Sequence, residues 1–140
     1  MEETKMLAAK DYVNDISNSS SAAFCSMACD TVESKKMLYN CVSNPQHRIS
    51  DEINSVISVK DVYIETAACS RPDGTTEMCP RIVLIDTKGE GHQCVSFGVY
   101  NALKKIFALM GHPSTWEKPL DIMVKQVTRG EKKMLNLTLK

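Results

Sequence analysis

Long apolar runs are missing from this 140-residue sequence, although 43% of its residues are hydrophobic. No stretch approaches the ~20 consecutive apolar residues that a membrane-spanning helix needs. The acidic start, Met1–Lys5, is not followed by the apolar segment of a secretory signal peptide. We therefore expect no membrane partner and a cytoplasmic location, and the length fits one domain with its own buried core.

Paired metal ligands are also scarce. The six cysteines (Cys25, Cys29, Cys41, Cys69, Cys79 and Cys94) include one close pair, Cys25 and Cys29, and no second close pair of cysteine or histidine accompanies it. Structural zinc sites usually use two such pairs, and a reducing compartment keeps thiols free. We expect six free thiols, no metal site and no cofactor. The G-x-S-x-G elbow, the Walker loop and H-E-x-x-H are missing too, which argues against a hydrolase, an NTPase and a zinc protease.

A charge excess is the last feature that the sequence lacks, because 17 basic side chains balance 17 acidic ones. This balance argues against a nucleic-acid partner, since proteins that bind nucleic acids usually carry a basic excess. The zero is an average over two unlike segments, however. Residues 1–90 hold nine basic and 14 acidic side chains, whereas residues 91–140 hold eight basic and three acidic ones. The second segment is basic, so a nucleic-acid partner remains compatible with the sequence.

The first 56 residues predict an arm followed by helices. Residues 1–30 are serine-rich and without periodicity, which favours an irregular arm or edge strand. Residues 31–42 predict a helix that Thr31 caps and that places Val32, Leu38, Tyr39 and Val42 roughly on one face. A second short helix is predicted over residues 50–56, because a capping serine precedes two acidic side chains there.

From residue 57 onward the pattern changes to strands. Alternation and turn signals predict strands over residues 58–67, 79–87 and 92–97, a helix over 98–110, and strands over 120–128 and 132–139. This order predicts an α+β fold, a five-stranded OB-like antiparallel barrel with a helix between strands 3 and 4 and a helical N-terminal extension. We expect one domain over residues 1–140, with an arm (1–30), a helical extension (31–56) and the barrel (57–140).

An OB-fold binds oligonucleotides through strands 2 and 3 and the loops that join strands 1–2 and 4–5. Basic side chains would contact phosphates, and the candidates are Arg81, Lys104, Lys105, Lys125, Arg129, Lys132 and Lys133. Flat side chains would stack on bases, and the candidates are Tyr63, His92, Phe97 and Trp116. Tyr63 is a candidate because Val62 and Ile64 point to the opposite strand face. Two alternatives stay open, since Phe97 is also a candidate for the core and Trp116 for a plug at the barrel end.

Several segments carry a family resemblance, and the run Ser96-x-Gly98-Val99-x-Asn101-x-Leu103-Lys104-Lys105-Ile106 is the most specific. The segments are residues 95–107, 111–113, 116–120, 124–130 and 135–139, with residues 38–40, 49–51 and 59–65 further upstream. They resemble phage-encoded single-stranded DNA-binding proteins, the small replication proteins of tailed phages that infect Gram-positive hosts. The resemblance spans residues 35–140. It implies non-catalytic coating of single strands during phage genome replication in the host cytoplasm, with single-stranded DNA, neighbouring copies along the strand and replisome proteins as partners.

Two other functions fit parts of the sequence. One is an interaction module that binds a host or replisome protein through the acidic N-terminal part. The other is a nuclease of the PD-(D/E)xK type, in which Asp73 and Asp86 would hold Mg²⁺ and Lys88 would assist a water molecule. The same residues suit a β-turn and a hairpin.

Overall fold

A computed structural model describes residues 24–140, so most of the predicted arm lies outside the described residues. The α-helices are α1 (Val32–Ser43) and α2 (Phe97–Met110), and single 3₁₀ turns occur at Ile49–Asp51 and Pro113–Thr115. The strands are β1 (Phe24–Cys25), β2 (His47–Arg48), β3 (Val56–Ser70), β4 (Thr76–Asp86), β5 (Gly91–Val95), β6 (Leu120–Arg129) and β7 (Lys132–Leu139). No helix of this described part is long and apolar enough to cross a membrane.

The strands form one mixed sheet in the order β2-β5-β4-β3-β6-β7, and β1 pairs with β3. Strands β2 and β5 run parallel, whereas the other strand pairs of the described residues are antiparallel. The long strand β3 pairs with β6 through its first residues, Val56–Val59, and with β4 through the remainder. The register shifts between Val59 and Asp61, which is the irregularity that lets a strand bend. The sheet therefore curls into a half-barrel, a mostly-β and barrel-like architecture with two helices.

The centre of the sheet is buried on both faces. One core cluster lies between the sheet and α2, and it includes Val62, Ile82 and Leu84. The other lies under α1 and the segment after β1, and it includes Tyr63 and Val83. The prediction that the middle of the strand over residues 79–87 is buried on both faces is confirmed, because residues 82–85 are at most 1% exposed.

Helix α1 begins where the sequence predicts, since the Thr31 side chain accepts from the Ser34 N–H in a reciprocal capping box. The predicted apolar face is wrong in two places, because Val32 and Tyr39 are 60% and 66% exposed. Cys41 is the residue of α1 that is fully buried. The helix thus packs on β4 and β5 through its C-terminal half.

The helix predicted over residues 50–56 is wrong. Residues Ile49–Asp51 form a single 3₁₀ turn, and Val56 already belongs to β3. Between them Asn54 has a positive φ of 71° and donates its N–H to the Val124 carbonyl. Pairing with β6 therefore outweighs the local capping signals, since so short a segment gains little as an isolated helix.

Helix α2 begins at Phe97, where the Ser96 hydroxyl accepts from the Val99 N–H, and it ends at Met110, which Gly111 follows with a φ of 87°. Its spacing predicts an apolar stripe of Val99, Leu103, Ile106 and Met110, and the first three are buried, whereas Met110 is 45% exposed at the end of the helix. A Cβ atom at Gly98 would collide with the carbonyl oxygen of Leu135. Glycine at this position therefore allows the N-terminus of α2 to lie directly against β7.

Candidate nucleic-acid interface

An open groove of about 540 Å³ separates α2 from the β6–β7 hairpin. Its floor is apolar and includes Leu109, 85% exposed, and Met134, 41% exposed. Its sides carry Lys105 from α2 and Arg129 from β6. We call this the hairpin groove. This combination suits a single nucleic-acid strand, because its phosphates can meet the cations while its bases meet the apolar surface.

The cations cluster on the two elements that flank the hairpin groove. In the hairpin, Arg129 pairs across the strands with Lys132, and Lys133 opposes Thr128. Lys104 and Lys105 lie on α2, and all five cationic side chains belong to exposed residues. Within residues 24–140 none of the five forms an ion pair. The structure thus places five of the seven basic candidates on the two elements that flank the hairpin groove, and Lys105 and Arg129 line it.

Phe97 supplies an exposed ring near these cations. It is 47% exposed, so the core alternative for this residue is wrong. Helical spacing places it on one stripe of α2 with Asn101, Lys104 and Lys105. The Lys104 ammonium lies 5.1 Å from the centroid of the half-buried Tyr100 ring. Proteins that bind single strands combine cationic side chains with exposed aromatic rings in this way.

Tyr63 is not available for stacking. It is 6% exposed, and its hydroxyl donates to Glu65 at 2.8 Å. Burial first, and then the hydrogen bond to Glu65, raise the pKa of the phenol. The prediction of an exposed ring fails because residues 25–29 and α1 cover this face of β3. Asp61, on the same face, is likewise buried and accepts from the Ser26 hydroxyl at 2.8 Å.

Arg81 and His92 also have structural partners. The Arg81 guanidinium donates to the Val42 carbonyl at 2.6 Å and to Glu65 at 3.2 Å, which ties the end of α1 to the sheet. His92 is 5% exposed and lies between the carboxylates of Glu52 and Asp86. Both side chains are thus engaged within the fold in this conformation, and their assignment as DNA contacts stays a prediction.

Trp116 and Lys125 lie outside the hairpin groove. The Trp116 indole N–H donates to the carbonyls of Met110 and Gly111, and the half-buried ring packs 6.3 Å from Phe107, centroid to centroid. This agrees with the plug alternative for Trp116. Lys125 is exposed, and its ammonium donates to the Asn54 side chain at 3.4 Å.

A comparison with models of protein families shows the family to which this chain belongs. The family model described as phage single-stranded DNA-binding protein, of the phi29 type, matches residues 17–140. The chain belongs to this family. No curated protein and no solved structure matches it. The resemblance inferred from the sequence is thereby confirmed, and single-stranded DNA is the partner that the family supports.

Two surfaces of this family member are candidates for binding DNA: the exposed face of α1 and the hairpin groove. The outward face of β4 carries Val83 and Ile85, and α1 covers both. On α1 itself, Tyr39 is exposed beside Lys35 and Lys36. Each surface is lined by two cations. The hairpin groove is the better candidate because three further lysines lie exposed on its flanking elements and because its volume is about 540 Å³, against about 390 Å³ beside Tyr39.

The nuclease alternative lacks the required geometry. Asp73 lies in the turn before β4, whereas Asp86 is the last residue of this strand of 11 residues. At a rise of about 3.3 Å per residue the strand separates the two carboxylates by roughly 30 Å. Asp86 accepts instead from His92 and from the backbone N–H groups of Lys88 and Glu90. The two carboxylates therefore cannot share one Mg²⁺.

Sequence reasoning missed the apolar floor of the hairpin groove and the exposed ring of Tyr39. Leu109 could have been found, since it falls off the core stripe that Val99, Leu103 and Ile106 define. Met134 could also have been found, since it alternates with Leu135 and Leu137 and so falls on the other face of the strand. Tyr39 has no comparable signal, because its exposure depends on how α1 packs, which is a tertiary property.

Proposed function

We propose that this family member binds single-stranded DNA without sequence preference along the hairpin groove, and that it coats strands exposed during phage genome replication in the host cytoplasm. The observation that carries this proposal is an apolar groove lined by Lys105 from α2 and Arg129 from β6, with Lys104, Lys132 and Lys133 exposed on the same two flanking elements. Cationic side chains attract phosphates of any sequence, and apolar or aromatic surfaces accept any base.

The proposed phosphate contacts are Lys104, Lys105, Arg129, Lys132 and Lys133, and the proposed stacking platform is Phe97. Lys105 from α2 and Arg129 from the hairpin line the groove, so a strand lying in it would be held between them. Bases facing the floor would meet Leu109 and Met134. Such contacts are non-catalytic, and coating requires no reaction.

An OB-like barrel is the fold interpretation that goes with this function. We infer that β3, β4, β5, β6 and β7 correspond to its five strands, with α2 between the third and the fourth. This is supported by the antiparallel β3-β4-β5 meander and by the pairing of β3 with both β4 and β6. The β6–β7 turn would then be the loop between strands 4 and 5, one of the two loops that such folds use for oligonucleotides.

The chain carries few spare cations, so contacts to phosphate alone give modest binding at physiological salt. Stacking on Phe97 and contacts between neighbouring copies on one strand would supply the remainder. One domain over residues 1–140, with self-association along the DNA, is the arrangement that we propose.

Binding is tested by the fluorescence anisotropy of three labelled ligands of equal length: oligo(dT), a mixed-sequence single strand and the corresponding duplex. We expect similar affinities for the two single strands, a much weaker one for the duplex, and a steady loss of affinity as salt rises. Protection of the bound single strand from a single-strand nuclease checks the coating role. Absence of binding to either single strand at ~50 mM salt would contradict the proposal, because phosphate contacts are strongest there.

A further inference from the structure

A second group of functional side chains lies at the other end of the sheet from the hairpin groove. It consists of His47 in β2, Glu52 after the first 3₁₀ turn, Asp86 at the end of β4, Glu90 in the following turn and His92 in β5. We call it the histidine cluster. Three carboxylates surround two imidazole rings, and His92 is 5% exposed.

Each imidazole of the histidine cluster is held through its Nε2 atom by a carboxylate. His92 Nε2 is 2.8 Å from Asp86 Oδ2, and His47 Nε2 is 2.8 Å from Glu90 Oε1. The Nδ1 atom of His92 faces Glu52 instead, at 2.7 Å from Oε1. Histidines that bind a metal through one ring nitrogen usually donate the other N–H to a carboxylate in this way, which fixes the tautomer and the ring orientation.

We infer that His47, Glu52 and His92 bind a divalent transition-metal ion of the zinc class. One ligand atom from each of the three residues lies within 4.8 Å of the others. Two imidazole nitrogens with one carboxylate are a donor set that zinc accepts in proteins. Mg²⁺ and Ca²⁺ prefer sites made of oxygen atoms alone. Asp86 and Glu90 are the positioning residues, since each contacts an imidazole rather than the ion.

The charges of the histidine cluster suit a divalent cation. An ionised carboxylate offers only acceptor oxygens, and the carboxylates of Glu52, Asp86 and Glu90 lie against the two imidazole rings. A divalent ion between His92 Nδ1 and Glu52 would add charge opposite in sign to these three carboxylates.

Binding requires a small adjustment. Ligand atoms at about 2.1 Å from a tetrahedral zinc ion are about 3.4 Å apart, closer than the 4.8 Å limit within which they now lie. The His47 and His92 rings are stacked, with centroids 4.4 Å apart and planes 18° from parallel. His47 and Glu52 are partly exposed, so His47 can rotate out of the stack while the buried His92 stays fixed. The ion would then join β2 and the first 3₁₀ turn to β5.

The test uses Co²⁺ as a spectroscopic probe and Zn²⁺ as a competitor, with the full chain kept reduced by a non-chelating phosphine. We expect one equivalent of Co²⁺ with visible absorption of a tetrahedral site, no thiolate-to-cobalt charge-transfer band, and release by Zn²⁺. His47→Ala and Glu52→Gln should lower the affinity at least tenfold. The matched controls are His112→Ala, which removes the third histidine of the chain, and Cys25→Ser with Cys29→Ser. Both should bind as the unchanged protein does.

A measurement on the unchanged protein keeps the inference testable if a variant fails to fold. Long-range ¹H–¹⁵N spectra resolve the ring nitrogens of the three histidines. Zn²⁺ should shift Nδ1 of His47 and His92 and leave His112 unchanged. No uptake of metal, unshifted imidazole nitrogens in the presence of Zn²⁺, or loss of binding only in the cysteine variant would each overturn the inference.

Discussion

Removing one cation from each side of the hairpin groove should change the salt dependence of DNA binding by a calculable amount. Lys105 on α2 and Arg129 on β6 both line the groove, and neither forms an ion pair within residues 24–140. Each phosphate contact on a single strand contributes about 0.7 to the slope of log K against log salt. The Lys105→Ala, Arg129→Ala double variant should therefore lose about 1.4 from that slope.

This difference is large enough to measure. Over a fourfold rise in salt, a slope difference of about 1.4 corresponds to about sevenfold in affinity, so the unchanged protein should weaken about seven times more than the variant. Anisotropy of labelled oligo(dT) at five or six salt concentrations gives the slope directly. The matched control, Lys36→Ala with Lys88→Ala, removes the same charge from exposed positions on the α1 side of the sheet.

The control should keep the slope of the unchanged protein, and all three proteins should have the same thermal midpoint. An unchanged slope in the Lys105, Arg129 variant would refute the assignment of the groove. An equal reduction in the control would show that binding responds to net charge or to the α1 surface instead.

Three further predictions follow from single residues. Phe97→Ala should weaken oligo(dT) binding by about 1–3 kcal/mol without lowering the thermal midpoint, because the ring stacks on a base and is half exposed; a midpoint lowered as much as affinity would assign the ring to the core. Gly98→Ala should destabilise the fold by about 1–3 kcal/mol in urea unfolding, since its Cβ would collide with the Leu135 carbonyl; an unchanged urea midpoint would show that α2 can shift freely. The pKa of Asp86 is lower in the folded protein than its ordinary value of 3.8, so ionised Asp86 stabilises the fold at pH values above 3.8. This contribution is lost as the pH falls through the lower pKa of the folded state. Urea midpoints from about pH 6 to about pH 3 should therefore fall less steeply in Asp86→Asn, and parallel curves would contradict the assignment.

The long elements could be predicted from the sequence because their signals are local. The spacing of Val99, Leu103 and Ile106 predicts α2, and the alternation of Leu135, Leu137 and Leu139 predicts β7. The segment over residues 50–56 could not be predicted, because its backbone is directed by a hydrogen bond from Asn54 to β6. Local capping signals carry no information about that partner.

The candidate site could be predicted in part, for the same reason. The hairpin cations were found because they are crowded in sequence, near a turn. Tyr63 was assigned to solvent because strand alternation separates two faces but does not say that α1 covers one of them. The histidine cluster was missed because His47 and Glu52 are far in sequence from His92, and only the pairing of β2 with β5 brings them together.

The most direct test of the hairpin groove is to map where DNA touches the protein. Oligo(dT) that carries a photoreactive thymine analogue can be cross-linked to the full chain at low salt, and the adducts located by mass spectrometry. Our account predicts adducts at Phe97 and in the β6–β7 hairpin, and few on α1. Adducts concentrated at Tyr39, the exposed ring of α1, with none in the hairpin would contradict it.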